Sequence, residues 1–189
     1  MYASQPAGNR AVAPILLIIS LATAGCSSPV TPVAPQSESR PTPIATLQEI
    51  MAAQIDPSAD ALWGAVEYVS TLEGTQDHLP RTEEEWQALH RSAAVLAEAA
   101  NLLAAPHRRI ADTTRSFGAG ELNVAEIQQR VDSRRESFDQ FAAVLRSASL
   151  SALAAIEKKN PKALMDAGAA IDAACEACHR VYWYPDQGE

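Results

Sequence analysis

Cysteine, histidine and methionine are all scarce in this chain, with three, four and three copies among 189 residues, so chemistry that depends on them has few places to reside. A structural zinc site wants four ligands and a second Cys or His pair at short spacing. Outside one C-terminal cluster, the histidines His78, His90 and His107 are single and scattered. Basic charge is short as well. Fifteen Lys and Arg face 23 Asp and Glu, a formal balance of −8 that predicts an acidic exterior and gives no support to nucleic-acid binding. The longest apolar stretch, Ala11 to Ala22, is too short to read as a membrane span and runs at once into small and polar residues. No segment shows the strict alternation of a half-buried strand. No acid, base and nucleophile stand in a defined arrangement, so the chain is not expected to be an enzyme.

What is present is concentrated near the C-terminus, in Cys175-Glu176-Ala177-Cys178-His179. Cys-x-x-Cys-His is the attachment signature of a c-type haem. Two thiols add across the two vinyl groups on one porphyrin edge, and the adjacent imidazole supplies a nitrogen to the iron. At about 100° per residue on a helix, Cys175, Cys178 and His179 fall within roughly a 100° arc and can meet one flat ring. Chance placement produces the string in on the order of one such chain per thousand, so the spacing is specific. The competing readings are a disulfide between Cys175 and Cys178 in an oxidising compartment, a thioredoxin-like pair, which would want a βαβ context, and a metal site. The expected cofactor is one covalent haem c.

The N-terminal 25 residues read as an export signal, with Arg10 the only charge ahead of the apolar stretch. The ending Thr23-Ala24-Gly25-Cys26 resembles a bacterial lipoprotein box, which implies that Cys26 becomes the lipidated first residue of the mature protein. Thr23 departs from that pattern, which usually has an aliphatic residue there. The rival is ordinary cleavage after Ala22-Thr23-Ala24, which leaves Cys26 a stray thiol. Residues 26–45 carry Pro29, Pro32, Pro35, Pro41 and Pro43 among Ser and Thr, a composition that favours an extended tether. The expected location is the periplasmic side of a bacterial membrane, lipid-anchored, with a soluble periplasmic protein as the alternative.

Residues 46–189 are enough for one domain with a single core. Their apolar spacing is helical throughout. A first segment carries Leu47, Met51, Ile55, Leu62, Val66 and Val69, with Pro57 bending or interrupting it. A second opens at the capping box Thr82-x-x-Glu85 and continues through Trp86, Leu89, Ala93, Leu96, Ala100 and Leu103. A third starts near Asn123 and Glu126 and runs through Phe138, Phe141, Leu145, Ala148 and Ala152. Asn160-Pro161 opens the fourth, which carries Leu164, Ala167, Ile171, Ala174, Cys178 and Val181. The predicted fold class is all-α, an antiparallel four-helix bundle with a c-type haem attached near the C-terminus.

Four helices with Cys-x-x-Cys-His on the last one resemble the class II cytochromes c, the cytochrome c-prime family, over roughly 47–184. Tyr182, three residues after His179, matches an aromatic position common in that family and implies haem packing. The next position, often basic there, is Trp183. With up-down-up-down topology, the start of the first helix, the end of the second, the start of the third and the end of the fourth share the haem end. Met165 lies fourteen residues before His179 on one helix, about 21 Å away, and is excluded as a second ligand. His78 belongs to the opposite end, and His90 stands about four turns from the haem end. Met51, in the first two turns of the first helix, is the expected sixth ligand, and the resemblance implies the same for a Met at that place. The alternative is that Met51 only packs, leaving five-coordinate iron. His107 is the second choice. Arg108, Arg109 and Arg115 lie in the haem-end connection, where Arg108 or Arg109 could hold a propionate or sit in a solvated basic loop.

His/Met ligation suits outer-sphere electron transfer. The expectation is therefore an exported, membrane-tethered electron carrier with a redox partner protein. The alternative is a five-coordinate haem protein that binds a small gas such as nitric oxide. The resemblance also implies pairing of two copies through the first two helices.

Overall fold

The computed structural model describes residues 42–72, 74–112 and 118–185. The residues read as an export signal, Cys26, most of the stretch read as a tether, and Arg115 lie outside the described residues. Within them the chain is mostly helical. Helix α1 (Leu47–Ile50) passes without a break through a π-helical turn (Met51–Ile55) into α2 (Asp56–Trp63). A hairpin of β1 (Glu67–Thr71) and β2 (Gly74–His78) follows, then α3 (Glu83–Leu103), α4 (Val124–Ser133), α5 (Arg135–Glu157) and α6 (Pro161–Tyr182).

Local chemistry fixes the helix starts. Thr46 with Glu49, Thr82 with Glu85 and Asn123 with Glu126 each form a reciprocal capping box. In each box two backbone N–H groups that the helix leaves unpaired gain side-chain acceptors. Asn160 Oδ1 accepts from the Ala163 N–H at 3.1 Å, ahead of Pro161 in the first turn. A side-chain cap of this kind stabilises a helix by about 1 kcal/mol.

Helix α3 packs on α5, α5 on α6, and α2 on both α3 and α6. Many of the buried positions between them are alanine, among them Ala93, Ala99, Ala152 and Ala174, with Leu96, Leu164 and Ile171 filling the centre. Small side chains let the helix axes approach closely, so each large one is enclosed on all sides.

The structure departs from the purely helical expectation at two places, the hairpin and the third helix. Val69, read as part of the first helical stripe, lies in the hairpin and is 50% exposed. The hairpin pairs Glu67 with His78 and Thr71 with Gly74, antiparallel, and nearly all of its side chains are exposed. Neither face is buried, so no alternating pattern marks it. The third helix is two, α4 and α5, broken where Arg134 adopts φ −128° and ψ 40°. Pro57 deforms the first segment without breaking it: the π turn ends at Ile55, two residues before it.

One end of the molecule is tied together by backbone acceptors. The first two N–H groups of α1 donate across to the connection after α3, Leu47 to the Arg109 carbonyl at 2.9 Å and Gln48 to the Ile110 carbonyl at 2.9 Å. The buried Arg108 donates from Nε to the Leu102 carbonyl at 2.9 Å and from Nη1 to the Ala45 carbonyl. Arg130 Nη1 donates to the Val181 carbonyl at 3.0 Å, and the Leu122 N–H to the Trp183 carbonyl at 2.8 Å. The start of α1, the end of α3, the start of α4 and the end of α6 therefore meet.

Candidate functional site

The last turns of α6 deliver Cys175, Cys178 and His179 to this tied end. Both cysteines are free thiols and partly buried. Burial pushes the Cys175 thiol up to about 11, with Asp172 and Asp56 adding to the shift, and the Cys178 thiol up to about 12. Burial likewise lowers His179 from its ordinary value, opposed by the carboxylates of Asp56 and Glu176. At neutral pH the site therefore holds two protonated thiols and a neutral imidazole with a lone pair to offer.

Two adjoining cavities of about 220 and 270 Å³ open beside these side chains. Met51, Asp56, Phe138, Cys178 and His179 line both. The first extends past Cys175 toward Trp63, Leu103, Phe141 and Leu145. The second extends toward Leu47, Ile110, Val131, Tyr182 and Trp183. Most of both linings is apolar, as expected where a large flat ligand would be taken out of water.

The end of α6 is braced around His179. Glu176 accepts from Arg180 Nε at 2.6 Å and from the Tyr184 hydroxyl at 2.5 Å. The N–H groups of Trp183 and Tyr184 both donate to the His179 carbonyl, at 2.8 and 3.0 Å. The chain thus folds back over the helix end, and the Trp183 ring meets the imidazole edge-on with centroids 5.0 Å apart. Tyr182 is buried, edge-on to Phe138 at 5.2 Å and to Phe141 at 6.0 Å.

Of the residues singled out from the sequence, the structure brings Met51, Cys175, Cys178, His179 and Tyr182 to one place. It leaves His78, His90 and His107 exposed, and Met165, 43% exposed, lines neither cavity. Arg108 and Arg109 stand at the same end without lining either cavity. Arg108 is engaged with the carbonyls named above, and Arg109 is exposed and paired with Asp112.

Sequence reasoning missed Asp56 and Phe138. Burial raises the Asp56 carboxyl from its ordinary value, as does neighbouring Asp60, while His179 pulls it down. The one signal for Asp56 was its place beside Pro57, where the helix had to deform. Phe138 was read as core, which it also is at 4% exposure.

Among the described residues no group of three or more His, Cys, Asp and Glu side chains is arranged to hold a bare metal ion, and no helix is long and apolar enough to cross a membrane. No family model, curated protein or solved structure matches the chain.

Proposed function

We propose that this chain is an exported, membrane-tethered c-type cytochrome that carries electrons, folded as an antiparallel four-helix bundle of the cytochrome c-prime kind. The observation that carries the reading is the convergence of Met51, from the first helical segment, with Cys178 and His179, from the last, on the walls of the same two apolar cavities. The donor set fits a haem: two thiols at attachment spacing, an adjacent neutral imidazole, a thioether and apolar walls. A bound haem supplies one-electron iron chemistry.

The residues of this chain do the rest. Cys175 and Cys178 would hold a haem through thioether links, their thiols adding across its two vinyl groups, and His179 would offer a ring nitrogen to its iron. Met51 would offer its thioether sulfur to the same iron, a ligand that favours the reduced state and a raised potential. Tyr182 packs the haem environment through its aromatic cluster, and Arg109, exposed at the same end, would have to exchange its pairing with Asp112 to hold a propionate. A lipid on Cys26 would hold the domain at the periplasmic side of a bacterial membrane, where a redox partner protein exchanges electrons with it.

Ferric and ferrous absorption spectra of the mature domain test this reading. A weak long-wavelength ferric band from a Met–iron bond is expected, and Met51→Ala should abolish it. High-spin features in the unaltered protein would favour the gas-binding alternative. A mature protein without colour, made in cells able to attach haem, would refute both.

A further inference from the structure

The buried stripe of the first helical segment carries an irregularity that bears on Met51. Ile50 and Ile55 are both in the core, at 1% and 2% exposure, although they are five residues apart. In a regular α-helix, residues five apart point about 140° away from one another, whereas Met51 and Ile55, four apart, are separated by only about 40°. A regular helix that buried Ile55 would therefore draw Met51 toward the core line and turn Ile50 toward solvent. The observed arrangement is the reverse.

The π turn accounts for it. The Asp56 N–H donates to the Met51 carbonyl, five residues back, so the turn holds one residue more than an α-helical turn. Each residue in it advances by less than the α-helical angle, and Ile50 and Ile55 come into line. Met51, one step beyond Ile50, is left on the flank, partly buried and lining both cavities. Pro57 supplies a reason for the turn to sit here. It has no N–H to give to the Ala53 carbonyl, and its ring collides with that carbonyl in regular α geometry. Widening the preceding turn relieves both.

We propose that Pro57 is a positioning residue: through the π turn it sets the rotational register of the first helical segment, which takes Met51 off the core stripe and presents its thioether to the cleft beside His179. The inference rests on the haem reading above and concerns how the sixth ligand is placed. The starting bonds from Leu47 and Gln48 to the connection after α3 hold α1 at its other end, so the register is fixed on both sides of Met51.

The test uses the mature haem-loaded protein and two signals: the long-wavelength ferric band, and the strongly upfield methyl resonance of a methionine bound to ferrous low-spin iron. Pro57→Ala permits a regular helix and should abolish both signals while leaving helical circular dichroism unchanged or increased. Deleting the exposed Ala53 in the Pro57→Ala background removes the extra residue, realigns Ile50 with Ile55 in α geometry, and should restore both. Retention of the signals in Pro57→Ala, or failure of the deletion to restore them, would overturn the role of Pro57. Met51→Ala separates the two levels. If that variant keeps the band, the haem-ligand reading itself fails. If it loses the band while Pro57→Ala keeps it, only the register inference fails.

Discussion

The Tyr182 hydroxyl donates to the carbonyl oxygen of Arg134 at 3.1 Å. This bond ties the end of the helix that bears His179 to the break between α4 and α5, where the backbone leaves helical geometry. Tyr182→Phe keeps the ring against Phe138 and Phe141 and removes only the donor. The expected loss of stability is about 1 kcal/mol, measured by denaturant unfolding of the mature domain. A larger loss would mean that the break itself depends on the bond.

Trp63 Nε1 donates to the Gly168 carbonyl at 3.0 Å, and a β-carbon at Gly168 would lie 3.3 Å from Trp63 Cδ1. Helix α6 therefore approaches α2 closely at the one point where it has no side chain. Gly168→Val is expected to destabilise by about 1–3 kcal/mol, the usual range for overpacking. Because Trp63 also lines the first cavity, the variant should shift the haem absorption maximum as well. An unshifted spectrum with reduced stability would confine the effect to packing.

The Glu49 carboxyl sits below its ordinary value of 4.5, because it accepts from the Thr46 backbone N–H and then from the Thr46 hydroxyl. A group whose folded pKa is depressed contributes stability above its unfolded pKa and loses that contribution as pH falls through the folded one. Stability should therefore fall on acidification below pH about 4.5. Glu49→Gln should flatten this part of the pH profile. An unchanged acid limb in that variant would show that the capping box does not contribute to it.

Replacing both cysteines of the attachment pair, Cys175→Ser with Cys178→Ser, should leave no haem on the polypeptide after denaturation and separation. Each single replacement should leave one thioether and shift the ferrous absorption maximum. Haem persisting on the denatured double variant would exclude these thiols as the attachment points.

The features legible in the sequence were those written in local chemistry. Thr82 with Glu85 and Asn160 with Pro161 announced helix starts because caps depend on residues three or four apart. The grouping of Cys175, Cys178 and His179 on one helix face was legible for the same reason. The hairpin at 67–78 escaped notice because its side chains face water on both sides, which leaves only backbone pairing to define it. The break at Arg134 left the apolar stripe intact on either side. The π turn was half legible: Pro57 marked a disturbance, but the burial of Ile50 in place of Met51 depends on packing against α3, which a local pattern does not contain. Asp56 was hidden likewise, as a carboxylate on a helix reads as a solvated face, and its place on the walls of both cavities depends on elements distant in the sequence.

The clasp made by Arg108 on Ala45, with the two N–H groups of Leu47 and Gln48 bound to the Arg109 and Ile110 carbonyls, also has a mechanical meaning. Any pull arriving along the polypeptide from its N-terminal side is carried sideways into the connection after α3 before it reaches Met51. The first helical segment is thereby shielded from tension on that side, and the Met51 thioether keeps its place beside His179.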